Sequence, residues 1–89
     1  MSFTGMDIQA VRCLGGQMNQ AACEIQQIEQ RLTSLLQNAG WIGPDREHFV
    51  STWQSVSTVQ LNQVVNALHE ASTCASRNAT EQEEISNRV

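Results

Sequence analysis

Tyrosine is absent, proline occurs once and phenylalanine twice in the 89 residues, so the aromatic density typical of strands is missing. No apolar run approaches the ~18–20 residues that span a bilayer. The opening Met1-Ser2-Phe3-Thr4-Gly5 lacks a charged and then hydrophobic leader, so neither a membrane span nor ordinary signal-peptide export is expected. No Gly/Ser/Pro-rich linker divides the chain, which predicts one domain over residues 1–89. Positive charge is sparse and dispersed: Arg12, Arg31, Arg46, Arg77 and Arg88 carry all of it in a chain of net charge −4. A run of phosphates could not be neutralised by such a set, so nucleic acid is not an expected partner.

What is present favours helices. The chain is rich in Gln, Ala, Ser, Asn and Leu, and the expected class is all-α. Thr4 and Asp7 form a variant capping box, placing the first helix start between them. Val11, Leu14, Met18, Ala21, Ile25, Ile28, Leu32 and Leu35 then recur at alternating spacings of three and four, the pattern of a packed helical seam. Asn38-Ala39-Gly40 supplies a stop, so helix 1 is read as about residues 5–38 and the turn as 39–43. Pro44 suits a first helical position, with Asp45 and Glu47 complementing the helix dipole.

Helix 2 is read as about residues 44–80. Its stripe runs through Phe49, Val50, Trp53, Val56, Leu61, Val64, Val65, Leu68, Ala71 and Ala75, with a polar slip around Ser57 and Gln60. Glu81 to Glu84 place negative charge at the helix's negative end, so a frayed acidic tail is expected beyond about residue 80. Helices this long, at ~1.5 Å rise per residue, make a thin rod rather than a compact domain. An antiparallel two-helix hairpin covers one side of each stripe, and a four-helix bundle dimer covers the rest. Val11, Leu14, Met18, Ile25, Ile28, Leu32, Leu35, Leu61, Val64 and Leu68 are the candidate hairpin or dimer seam.

The bend carries the most specific pattern. Trp41-Ile42-Gly43-Pro44-Asp45 is followed by Phe49 and Trp53, reading W-x-G-x-D-x-x-x-F-x-x-x-W. Taken alone, Trp41 caps the hairpin end and Gly43 permits the turn. With the chain length and the mid-chain position, the pattern resembles the Trp-X-Gly family of small early-secreted-antigen-like proteins of bacterial type VII secretion. Phe3 to Asp7 and the stretch from Arg77 to Glu83 also resemble actinobacterial members.

The resemblance implies a helical hairpin forming a homodimer, or a heterodimer with a sister Trp-X-Gly protein. It implies manufacture in the bacterial cytoplasm and secretion in the folded state to the cell surface or medium, without a cleavable signal peptide. The role implied is a non-enzymatic substrate, effector (some of them virulence-associated) or co-secretion partner. Trp41 and Gly43 take the part of the bend recognised during export or by the type VII secretion ATPase, with Phe49 and Trp53 packing beside them. The C-terminal Tyr-x-x-x-Asp/Glu signal of many members is missing, since the chain has no tyrosine: either a paired partner supplies it, or the acidic tail around Glu81 to Glu84 is used differently, or the protein is not an independent substrate.

Other chemistry is thin. Three cysteines contain no C-x-x-C pair, and no glycine-rich phosphate loop occurs; no enzyme, cofactor, metal or small-molecule substrate is expected. His48 is read as shielding the bend and His69 as a surface pair with Glu70. With a hairpin centre near 43.5, facing residues sum to about 87, as Cys13 and Cys74 do. Gly15 and Gly16, each costing roughly 1 kcal/mol inside a helix, face Ala71, Ser72 and Ala75 in that register. Two readings stay open: a Cys13–Cys74 bridge pinning the open end, or three reduced thiols. The rival to the family reading is a cytosolic coiled-coil adaptor with a chance W-x-G bend; a redox or metal protein is the third.

Overall fold

The structure is a computed structural model and describes residues 6–87. α1 spans Ile8–Asn38 and α2 Pro44–Ser55; a π-helical segment, Val56–Leu61, joins α2 to α3, Asn62–Asn87. The last three elements form one continuous second arm that folds back along α1. All-helical character and a helical hairpin are thus as expected. The rod is 68 × 17 × 13 Å with a radius of gyration of 19.7 Å. A compact domain of this length has a radius near 12 Å.

Asp7 starts α1, its Oδ1 accepting from the Ala10 amide at 3.0 Å; Thr4 lies outside the described residues. The second arm stays helical to Asn87, beyond residue 80, where fraying was expected. Packing outweighs the unfavourable acidic end: Ala79 is fully buried, and Arg12 reaches Glu83 at 3.4 Å across the hairpin.

The intrachain seam differs from the expected one by a single helical position. Val11, Met18, Ile25 and Leu32 do turn toward the second arm, but the buried residues between them are Gly15, Ala22 and Glu29, with half-buried Leu36 following in the same spacing. Leu14, Ile28 and Leu35 remain 48%, 54% and 59% exposed. Small residues win the seam because they let the helices approach closely. A Cβ on Gly15 would stand 3.2 Å from the Ser72 carbonyl oxygen and 3.4 Å from the Ala75 Cβ, so the close crossing read from the sequence is present. Gly16, by contrast, meets nothing within 4 Å.

The polar slip in helix 2 has a structural answer. Along the second arm, Val50, Trp53 and Ser57 face α1, followed by Leu61, Val65, Leu68, Ser72, Ala75 and Ala79. A regular helix would place Gln60 and then Val64 in the seam after Ser57. The π-helical turn contains one residue more than an α-helical turn, which resets the phase and brings Leu61 and Val65 inward.

Candidate functional site

The bend is built by two glycines with positive φ. Gly40, φ 68°, ends α1 after Ala39, and Gly43, φ 132° and ψ 178°, caps α2 immediately before Pro44. Gly43 occupies a region open essentially to glycine alone, so the W-x-G glycine is a backbone requirement here. Its carbonyl accepts from the Glu47 amide at 3.2 Å, closing the first turn.

Trp41 stands 43% exposed with its ring 6.1 Å from that of Phe49, the planes tilted by 44°. Ile42 projects outward, 90% exposed. Beneath them a hollow of about 260 Å³ is lined by Leu36, Gln37, Gly40 and Arg46. Phe49 and Trp53 divide their work. Phe49 packs on Trp41, whereas Trp53 turns into the seam and its indole N–H donates to Thr33 Oγ1 at 3.0 Å.

Contacts across the hairpin fix its register. Asn19 meets His69 at 2.7 Å, Ser57 donates to Glu29 at 2.6 Å, and Trp53 donates to Thr33, pairs whose numbers sum to 88, 86 and 86. His69 is thus turned to Asn19 across the hairpin, rather than being a surface partner of Glu70; His48 is exposed at the start of α2. The centre at about 87 holds, yet the bridge between Cys13 and Cys74 is not formed. Cys13, Cys23 and Cys74 are free and exposed. Cys13 lies two positions from the seam residues Val11 and Gly15, and Cys74 two from Ser72, which at 100° per residue turns both away from the opposing helix. Cys74 Sγ instead accepts from Asn78 Nδ2 at 3.6 Å. Among the described residues no three His, Cys, Asp or Glu side chains gather as a metal site. None of their helices is long and apolar enough to cross a membrane.

The seam is flanked by two rims of opposite character. One is polar: Arg12 reaches diagonally to Glu83, Asn19 faces His69, and Gln26 and Asn62 line one groove. These residues fall one position after Val11, Met18 and Ile25 on α1. Residues one position before Gly15, Ala22, Glu29 and Leu36 emerge on the other side of the helix; they are Leu14, Ala21, Ile28 and Leu35. On the second arm the same offset gives Phe49, Val56, Val64 and Ala71. In an antiparallel pair, residues flanking the seam on the same side lie opposite each other, so the two sets form one apolar rim along the rod. Phe49 and Val64 are 40% and 45% exposed there. Leu14, Ile28, Leu35 and Val64 therefore do not belong to the hairpin's own seam, and this rim was not separable from it in the linear pattern.

No family model, curated protein or solved structure matches the chain.

Proposed function

We propose that this chain is a non-enzymatic pairing module whose apolar rim is covered by a second helical hairpin, giving a four-helix bundle. The observation that carries the reading is the rim itself: Leu14, Ile28, Leu35, Phe49 and Val64 are all at least 40% exposed on one side of the rod. Burying such side chains stabilises by about 25 cal/mol per Å² removed from water. At ~1.5 Å rise per residue the rim from Leu14 to Leu35 runs about 32 Å of the 68 Å rod, so it forms the apolar centre of a contact that needs the flanking polar positions to reach the ~800 Å² per partner of a standard interface. A second copy is the simplest occupant, since a two-fold axis brings an apolar rim onto itself; a sister Trp-X-Gly chain is the other.

On this reading the pair is a substrate, effector or co-secretion partner of the bacterial type VII pathway, exported to the surface or medium. The bend supports it. Trp41, Ile42 and Gly43 are presented at the tip, outside the seam, where the secretion ATPase or another export component could reach them. Light scattering on the purified protein tests the pairing, with a mass about twice 9.9 kDa expected for a self-pair. A folded monomer at micromolar concentration refutes self-pairing. Fractionation of cells with and without an active type VII ATPase tests the pathway, and protein confined to the cytosol while the system is active favours the adaptor reading instead.

A further inference from the structure

On the polar-rim side of the seam lies one feature that pairing through the apolar rim leaves untouched. Glu29 projects into the seam of the hairpin and is only 9% exposed. Its Oε2 accepts from Ser57 Oγ at 2.6 Å, while the buried Oε1 has no protein donor. The two ion pairs among the described residues, Arg12 with Glu83 and Arg46 with Glu47, both lie elsewhere. A buried carboxylate without a counter-charge is costly, and removing its cation is what makes a buried pair so sensitive. Beside it opens a groove of about 520 Å³ whose walls are Gln26, Gln30, Thr33, Ser34, Ser57 and Asn62, every one neutral and polar. Asn62 donates its Nδ2 to the Thr58 carbonyl, which leaves its own side-chain oxygen as an acceptor. The second arm contributes Ser57 from the π-helical segment and Asn62 just after it, and such a distortion recurs at functional sites.

We propose that this groove binds a guanidinium group, presented by an arginine side chain, with its charge seated on Glu29. Three chemistries compete for an anionic site, and the lining selects among them. A divalent cation seeks several carboxylates or a cage of six to eight oxygens, whereas a single carboxylate serves here. An ammonium is compact and strongly hydrated, and has only three donors. A guanidinium is planar and weakly hydrated, and offers five donors in a fixed fork. Those donors match a carboxylate flanked by amide and hydroxyl oxygens on two facing helices, reached by a rotation of the Glu29 side chain that turns Oε1, closed to solvent in the free hairpin, into the groove. The site lies on the rim opposite the apolar face, so it stays open in a paired molecule, and it does not depend on the pairing reading.

The experiment titrates the full-length protein, followed by amide NMR shifts, with N-acetyl-arginine methylamide and, separately, with its citrulline and lysine counterparts. Saturable shifts at Gln26, Gln30, Thr33 and Asn62 are expected with the arginine compound. Citrulline, isosteric and neutral, should give none, and lysine should bind several-fold more weakly. Glu29→Gln, which keeps the size and the Ser57 contact, should weaken arginine binding by about tenfold or more, the loss typical of a charge-assisted hydrogen bond. Gln26→Leu, on the open lip of the groove, should weaken it by a smaller factor and guards against a folding defect in the first variant. No saturable shift with the arginine compound overturns the proposal. So does equal binding of citrulline or lysine, or unchanged binding by Glu29→Gln.

Discussion

Adjacent glycines in one helix give a sharp test of the packing. Gly16 faces open space, so Gly16→Ala changes only helix propensity, a gain of about 0.8–1 kcal/mol. At about 2.1 cal/mol/K per residue, an 89-residue chain has an unfolding entropy near 0.19 kcal/mol/K, so this gain should raise Tm by about 5 °C. Gly15→Ala receives the same propensity gain, but its Cβ meets the Ser72 carbonyl at 3.2 Å and the Ser76 hydroxyl at 3.3 Å. The carbonyl belongs to a helical backbone and yields little, so the two terms should nearly cancel. Gly15→Leu adds three more carbons where the first already touches. Overpacking of this kind costs about 1–3 kcal/mol, and forcing the helices apart also opens the contacts of Ala22 and Ala79. A Tm about 5–15 °C below that of Gly16→Leu is the expected result. Thermal melts by circular dichroism at one fixed protein concentration measure all four, the concentration being held because association raises Tm. If Gly15→Leu melts no lower than Gly16→Leu, the close crossing is absent and the register derived from it is wrong.

Further perturbations address the other elements. Gly43→Ala forces an ordinary residue to φ 132°, and a cost of about 1–3 kcal/mol should appear in urea denaturation; an unchanged midpoint would show that the bend relaxes freely. Deleting Val59 should convert the π-helical turn to α-helix with both halves of the second arm still in phase, leaving Tm within a few degrees, whereas deleting Ala67 should cost far more by rotating the seam beyond it. Equal losses from the two deletions would contradict the phase-reset account. Ile28→Glu combined with Val64→Glu should abolish self-association in light scattering while far-UV helicity persists, and a retained dimer would place the interface elsewhere. Three alkylated thiols by intact mass without reductant are expected from the free cysteines; a single alkylation in monomeric protein would reinstate the Cys13–Cys74 bridge.

Periodicity revealed the helices, the hairpin and a register centred on 87, because spacings of three and four depend only on helix geometry. It could not say which flank of the broad stripe on α1 the second arm would take. Leu14, Ile28 and Leu35 outrank Gly15, Ala22 and Glu29 in hydrophobicity, and a reading based on burial of the largest side chains selects them for the seam. The hairpin chooses the small side because close approach buries backbone and Cβ atoms along many turns. The signal for that choice was available in Gly15, Ala22 and Glu29, seven residues apart, with Ala79 on the facing arm. Glu29 was harder to find: a lone glutamate on a polar helix ordinarily marks the solvated side. The bend was legible at Gly43 and Pro44, while the division of labour between Phe49 and Trp53 needed the phase of the second arm.

The π-helical segment ties these observations together. Carried forward from Phe49 and Val56 without a phase reset, the second arm's rim would continue through Gln63, Glu70 and Arg77, and its seam through Gln60, Val64 and Ala71. One extra residue in the Val56–Leu61 turn replaces those rim positions with Val64 and Ala71 and sends Leu61, Val65 and Leu68 into the seam. A single local distortion therefore keeps two separate apolar surfaces continuous along the same helix. The reset turns every residue beyond it through the same angle, so seam and rim move together and neither can be corrected alone. What the sequence adds is the choice of Val64 and Ala71 at the positions the reset brings beside Leu14, Ala21, Ile28 and Leu35, where a solvated rim would be served equally well by polar residues; that choice is what the proposed pairing accounts for.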